Sequence, residues 1–221
     1  MADHDPHLVP HWASAALITI DMQRDFLSES PYGLAGTTEV IPAIRRLADA
    51  FRAAGRPIVH IVRLYEPGGG NADLPRRSLL ASGVNIVAPG TPGRLLAPGL
   101  PPEGAPELDD ALLLSGKPQE LGPAEYAIYK PRWGAFFQTP LHELLGDLGV
   151  DTVVFAGCNF PNCPRASIVE ASERDYRIVL VTDAVSQTTP QGLEEVRRIG
   201  VQLMSTDEVT AAVAAPEAGA R

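Results

Sequence analysis

"TVVFAGCNFPNCPRASIVEASERDYRIVLVTDAV", Thr152 to Val185, decides the fold. "TVVFAG" is a short, almost wholly apolar run, which reads as a strand buried on both faces. "CPRASIVEASERDY" spaces its apolar residues as an amphipathic helix does, and "RIVLVTDAV" reads as a second buried strand. Strand, helix and strand in immediate succession make a crossover unit, which joins parallel strands. The corner between the first strand and the helix holds both cysteines, Cys158 and Cys163, and two prolines, Pro161 and Pro164.

The same alternation extends in both directions. "AALITID" (Ala15–Asp21) reads as a buried strand ending in an acid. "TTEVIPAIRRLADAFRAAG" reads as a helix with Thr37 or Thr38 as cap, Val40, Ile44, Leu47 and Phe51 on one face, and Gly55 at its end. "PIVHIVRLY" (Pro57–Tyr65) is the next strand, and Tyr126–Lys130 a short one. "TPLHELLGDLG" reads as a helix capped by Thr139, with Pro140 in its first turn and Gly149 beyond its end. "PQGLEEVRRIG", "VQLMS" and "TDEVTAAVAA" add a helix, a strand and a last helix.

This order predicts an α/β fold: a single three-layer αβα domain over residues 1–221, with a central, mostly parallel sheet of five or six strands. Residues from about 66 to 125 read as a Pro/Gly-rich insertion. Ala88–Tyr126 carries eight of the 21 prolines and is expected to be loop-like. Its leucines (Leu95, Leu96, Leu100, Leu108, Leu112, Leu113 and Leu114) must be buried, either on the chain's own sheet edge or against a second subunit.

Composition narrows the function. The net charge of −9 disfavours nucleic acid and anionic membrane as partners. No run approaches the roughly 20 apolar residues of a membrane span. "MADHDPHLVPHW" lacks the basic and apolar regions of a signal peptide, so a cytoplasmic protein is expected. Two cysteines five positions apart are expected to stay as thiols.

In a parallel sheet, ligands bind beyond the carboxyl ends of the strands. The residues there are Asp21, Lys130, Cys158 to Cys163, and Asp183. Each has an ordinary alternative. Cys163 could be a core residue, although a thiol at a helix N-terminus has a lowered pKa. Asp21 could cap a turn, and Lys130 could be solvated. Together they form a coherent set. A thiol needs a base at neutral pH, a carboxylate can supply one, and a lysine can stabilise the charged pair. A phosphate-cradle reading of Gly68–Gly70 fails for want of a following Lys-Ser/Thr pair. Cys158 and Cys163 do not have thioredoxin-type C-x-x-C spacing, and two thiols fall short of the four ligands zinc expects.

These motifs resemble the isochorismatase-like cysteine hydrolases, a family that includes N-carbamoylsarcosine, ureidoacrylate and biuret amidohydrolases, nicotinamidases and streptothricin hydrolase. "LITIDMQRDF" resembles the family's aspartate strand, "YKPRWGAFFQTPL" its lysine motif, and "VVFAGCNFPNCPRASIVEASERDYRIVLVTDAV" its nucleophile corner. The resemblance implies an Asp21–Lys130–Cys163 triad and a cis peptide at Cys158–Asn159. It also implies an oxyanion hole made of the backbone N–H groups of Asn159 and Cys163. Gln23, Phe26, Trp133, Phe136 and Phe160 are expected in the pocket as neighbours of the triad in sequence.

Two departures stand out. Phe160-Pro161 replaces the family's common Thr-Asp pair. The Asp-x-His metal motif of nicotinamidases is missing from "VRLYEPGGGNADLPRR", and His60 reads as a core histidine, so no metal and no cofactor are expected. The resemblance thus implies an amidohydrolase of a small amide, urea-like or cyclic amide substrate, working as a homodimer or homotetramer. The alternatives are a lactone or other ring-opening hydrolase with the same triad, or a non-catalytic thiol-sensing or binding protein.

Overall fold

The computed structural model describes residues 5–215; the first four residues of the N-terminal stretch read above lie outside them. Strands β1 (Ala15–Ile20), β2 (Ile58–Val62), β3 (Gln119–Gly122), β4 (Glu125–Tyr129), β5 (Thr152–Gly157), β6 (Arg177–Val185) and β7 (Gln202–Met204) form one sheet, in the order β3-β4-β2-β1-β5-β6-β7. All pairings are parallel except the β3–β4 edge hairpin.

The sheet therefore has seven strands, not the expected five or six. The extra one, β3, lies inside the stretch expected to be loop-like. Its four residues are flanked by Pro118 and Pro123, which restrict a strand to an edge.

The helices are α1 (Ile41–Ala53), α2 (Leu74–Ala81), α3 (Asp110–Leu114), α4 (Leu141–Asp147), α5 (Cys163–Ser172), α6 (Pro190–Arg197) and α7 (Thr206–Ala214). Because side chains alternate across a strand, β1 feeds two cores. Ala15 and Leu17 pack with Ile44, Leu47 and Phe51 of α1 and with Val209 and Val213 of α7. Ala16, Ile18 and Ile20 pack with Leu141 and Leu145 of α4, with Ile168 and Ala171 of α5 and with Val196 of α6. A strand that must be apolar on both faces reads as an unbroken apolar run, as β1 and β5 do.

Three local expectations shift. Neither Thr37 nor Thr38 caps α1, which starts after Val40: the Thr37 side chain is buried and makes no cap bond, and Thr38 donates to Glu29. Pro140, not Thr139, immediately precedes α4. The insertion contains α2 and α3 as well as β3; Asp109 caps α3 by accepting from the Leu112 N–H.

The insertion's leucines are largely buried on their own chain. Leu96, Leu108 and Leu113 pack with Val62, Leu64 and Leu121, and Leu100 joins the core under α1. The apolar side chains left exposed include Leu74, Trp133 and Phe137, which line one shallow depression. No helix among the described residues is long and apolar enough to cross a membrane.

Candidate active site

The four strands β4-β2-β1-β5 are neighbours, and the residue following each stands at the same edge of the sheet. Lys130 follows β4, Arg63 follows β2, Asp21 follows β1, and the cysteine corner follows β5. Residues more than a hundred positions apart are thereby brought together.

Lys130 is fully buried and its Nζ donates to Asp21 Oδ2 at 2.8 Å. A second acceptor, the Arg132 carbonyl, lies at 3.3 Å. Asp21 sits in a left-handed backbone conformation (φ 53°), a region where Asp and Asn are tolerated better than most residues. Among the described residues no nitrogen or hydroxyl donates to its buried Oδ1; the Cys163 thiol is the carboxylate's other polar neighbour.

Cys163 opens α5 and borders the same cavity as Asp21. Its thiol is pushed up to about 11. Burial is the main cause, and the Asp21 carboxylate adds to it against the opposing charges of Lys130 and Arg63. The lowering expected from the helix N-terminus is thus outweighed, and the free site holds a neutral thiol beside a carboxylate with an unused oxygen. Cys158 is different in kind. It is fully buried, its Sγ donates to the Asp21 carbonyl at 3.2 Å, and burial drives its pKa well above the usual thiol value.

The corner has its own local causes. Gly157 has φ 122°, and a Cβ there would lie 2.3 Å from the Ile20 carbonyl oxygen, so only glycine lets β5 lie this close to β1. The Cys158–Asn159 peptide is cis. Among the described hydrogen bonds, neither the Asn159 nor the Cys163 backbone N–H has an acceptor. Pro164 occupies the first turn of α5, where a missing N–H costs nothing. Ser167 donates to the Cys163 carbonyl at 2.7 Å and accepts from the Ala135 N–H at 3.0 Å. Glu170 accepts from the Phe136 N–H at 2.9 Å. α5 thereby holds the loop that follows Lys130.

The cavity has a volume of about 240 Å³. Asp21, Cys163, Asn159 and Asn162 form its polar end; Phe26, Leu34, Leu79 and Trp133 supply apolar wall. Of the five expected pocket residues, Phe26 and Trp133 line it. Gln23 does not. Its buried amide holds backbone, donating to the carbonyls of Arg63 (2.8 Å) and Arg94 (2.7 Å) and accepting from the Arg63 N–H. Phe136 packs against Tyr176 and under Arg174. Phe160 is buried in the core below α5 and α6, where Gly192 leaves room for its ring. Closeness in sequence to the triad misled for these three because Gln23 is engaged by backbone and Phe136 and Phe160 by the core.

Arg63 and Tyr65 line the cavity and were missed by sequence reasoning. The stretch "VRLYEPGGGNADLPRR" was read for metal-binding histidines, yet an arginine directly after a buried strand obeys the same positional rule that found Asp21 and Lys130. His60 lies within β2, bonded to Thr19 and Glu125 at 2.7 and 2.8 Å. Asp183 lies within β6 and accepts from the Thr206 N–H and hydroxyl, anchoring α7. No cluster of three or more His, Cys, Asp or Glu side chains suited to a metal ion occurs among the described residues.

Known proteins share this architecture. The sequence model of the isochorismatase domain matches residues 15–208. A probable inactive nicotinamidase of Arabidopsis thaliana is 30% identical, over 91% of this chain and 97% of its own. A ureidoacrylate amidohydrolase of Methylorubrum extorquens is 29% identical, over 82% of this chain and 73% of its own. The crystal structure of an isochorismatase family protein from Desulfovibrio vulgaris superposes with a TM-score of 0.77 at 31% identity, covering 91% of this chain and 99% of that one.

Proposed function

The chain belongs to the isochorismatase family, and from that premise we propose that it is a cysteine-dependent amidohydrolase of small amide or urea-like substrates. The observation that carries this reading is the buried Asp21 carboxylate. One oxygen is held by Lys130 at 2.8 Å, and among the described residues the other meets no nitrogen or hydroxyl donor, only the Cys163 thiol that borders the same cavity.

With a substrate carbonyl against Cys163, Asp21 Oδ1 takes the thiol proton and the sulfur bonds to the carbonyl carbon. The carbonyl π electrons move onto oxygen. The backbone N–H groups of Asn159 and Cys163, which have no acceptor among the described hydrogen bonds, are the donors for that oxyanion. Lys130, bonded to Asp21 at 2.8 Å, offsets the negative charge as it passes from Asp21 to the sulfur and on to the carbonyl oxygen. As the tetrahedral species collapses, Asp21 returns its proton to nitrogen, the C–N bond breaks and the amine leaves. Water, deprotonated by Asp21, then attacks the thioester; the C–S bond breaks and the sulfur regains a proton.

A resting thiol with a raised pKa fits this order of events. The proton moves only when substrate is in place, so the free enzyme carries no exposed thiolate. The thiol-sensing alternative draws less support, because Cys158 is fully buried, its Sγ bonded to the Asp21 carbonyl, and burial keeps it a neutral thiol.

Intact-protein mass spectrometry after rapid mixing with a library of small amides, ureides and lactones tests the proposal. An acyl adduct confined to Cys163, and absent from Cys163→Ala, is expected. Turnover that survives Cys163→Ala overturns it.

A further inference from the structure

The corner between β5 and α5 departs from the family's Thr-Asp pair at Phe160-Pro161, yet neither of those residues lines the cavity; the asparagines flanking them, Asn159 and Asn162, do. Asn162 immediately precedes Cys163, in the N-cap position of α5. Asparagine is among the residues that cap helices best, through its side-chain oxygen. Here it makes no capping bond. Its carboxamide is engaged elsewhere: Nδ2 donates to Asn159 Oδ1 at 3.3 Å. Asn159 Nδ2 donates in turn to Gln187 Oε1 at 2.9 Å, and Gln187 Nε2 donates to the Ala35 carbonyl at 3.2 Å.

This relay has a fixed direction. A backbone carbonyl can only accept, so Gln187 must turn its NH2 group toward Ala35 and its oxygen toward Asn159. Asn159 must then donate to Gln187 and accept from Asn162. Reversing any one carboxamide would set two NH2 groups or two oxygens against each other. Gln187 is itself held in place. It sits at φ 59°, and the preceding Ser186 donates its N–H to the Gly157 carbonyl and accepts from the Phe160 N–H. At the open end of the relay one Asn162 hydrogen is used, whereas Asn162 Oδ1 accepts no described hydrogen bond. The polar end of the cavity thus presents a fixed carboxamide oxygen one residue before Cys163. Ala35 and Gln187, which do not line the cavity, determine that it is an oxygen.

We propose that Asn162 Oδ1 accepts an N–H of the substrate next to the carbonyl that Cys163 attacks, and that this contact selects amides over esters, lactones and ketones of the same shape. This rests on Cys163 being the nucleophile of the same cavity. An amide nitrogen offers the hydrogen that the free oxygen lacks, whereas an ester or lactone oxygen would face it with lone pairs. A site built to hydrogen-bond a substrate N–H rejects analogues without one, because its own polar group is then left unpaired. Gln187 is a positioning residue: it touches no substrate but sets the polarity of the group that does.

Iodoacetamide and iodoacetone differ only by NH2 against CH3, and both alkylate a thiolate by displacing iodide. The thiolate fraction enters both rates equally and cancels from their ratio. The iodoacetamide-to-iodoacetone ratio at Cys163, read from the masses of the modified peptide, is expected to exceed the ratio for glutathione by on the order of tenfold, as one hydrogen bond made or left unmade implies. Asn162→Leu, which removes no capping bond from α5, should bring it down to the glutathione value. Gln187→Leu should lower it in part, although that residue lies outside the cavity. A wild-type ratio no higher than that of glutathione, or one unmoved by Asn162→Leu, overturns the proposal; a ratio unmoved by Gln187→Leu overturns the positioning role. If neither reagent modifies Cys163, the nucleophile assignment falls. The amide contact is then decided by thermal unfolding with benzamide and acetophenone, a second pair that differs by NH2 against CH3. A larger rise in Tm with benzamide for wild type but not for Asn162→Leu upholds it, and equal rises, or none, in wild type overturn it.

Discussion

Replacing Lys130 alone should destabilise this protein more than replacing Lys130 and Asp21 together. The two groups lie 2.8 Å apart, with the lysine side chain fully buried and the aspartate nearly so. At an effective dielectric of about 20, their attraction is roughly 6 kcal/mol before desolvation, which removes several kcal/mol per ion. The pair as a whole adds little to stability, but each charge depends on the other. Lys130→Met strips Asp21 of its charged donor, leaving the buried carboxylate with only the neutral Cys163 thiol beside it. Asp21→Asn, chosen because asparagine tolerates the left-handed backbone, leaves a buried ammonium with only the Arg132 carbonyl at 3.3 Å. Each single change should cost about 3–5 kcal/mol. The double variant removes both charges and leaves one amide short of partners, at about 1–3 kcal/mol. Urea unfolding of the four proteins at pH 7 should therefore give a coupling of at least about 3 kcal/mol. All three variants should lose turnover, so stability and activity separate. A double variant whose loss equals the sum of the singles would refute the reasoning, since it would mean that neither charge is buried at the other's expense.

Three further outcomes follow from the same geometry. Iodoacetamide modification of Cys163 should be faster than that of Cys158 and should climb until about pH 11; Asp21→Asn should move that midpoint down, because the carboxylate is one cause of the rise, and an upward move would contradict the assigned electrostatics. Burial alone would raise the pKa of Glu125, but Arg52 and His60 outweigh it and hold the carboxyl at about 2 against an ordinary 4.5. Its contribution, roughly 3 kcal/mol, is complete above pH 4.5 and is lost as pH falls toward 2, so Glu125→Gln should flatten that part of an acid-unfolding curve. The exposed Leu74, Trp133 and Phe137 depression, rather than the leucines of Ala88–Tyr126, is our proposed homo-oligomer interface; sedimentation at low micromolar concentration should show a dimer or tetramer that Leu74→Glu with Phe137→Glu reduces to the 23.5 kDa chain, and a wild-type monomer would end the proposal.

The unbroken apolar runs of β1 and β5 and the helix between β5 and β6 state a parallel sheet on their own, because burial on both faces leaves a mark that needs no partner to read. Strand ends are equally legible, which is why Asp21, Lys130 and Cys163 could be picked from the sequence and are found at one sheet edge. The edge strand β3 was not legible: four residues between prolines have no periodicity, and only the neighbouring β4 gives them a ladder to join. What belongs to the tertiary structure alone is direction. Gln23, Phe136 and Phe160 are as near to the triad in sequence as Phe26 and Trp133, yet they turn into backbone or core, a choice made by helices packed far along the chain. Arg63 becomes a wall of the cavity because β2 lies between β4 and β1, and because Asp73, ten residues on in the stretch read as a Pro/Gly-rich insertion, folds back to hold it. Local sequence specifies which face of an element is buried; which side chains then share a cavity depends on the order of strands, and that order is fixed by the sum of long-range contacts.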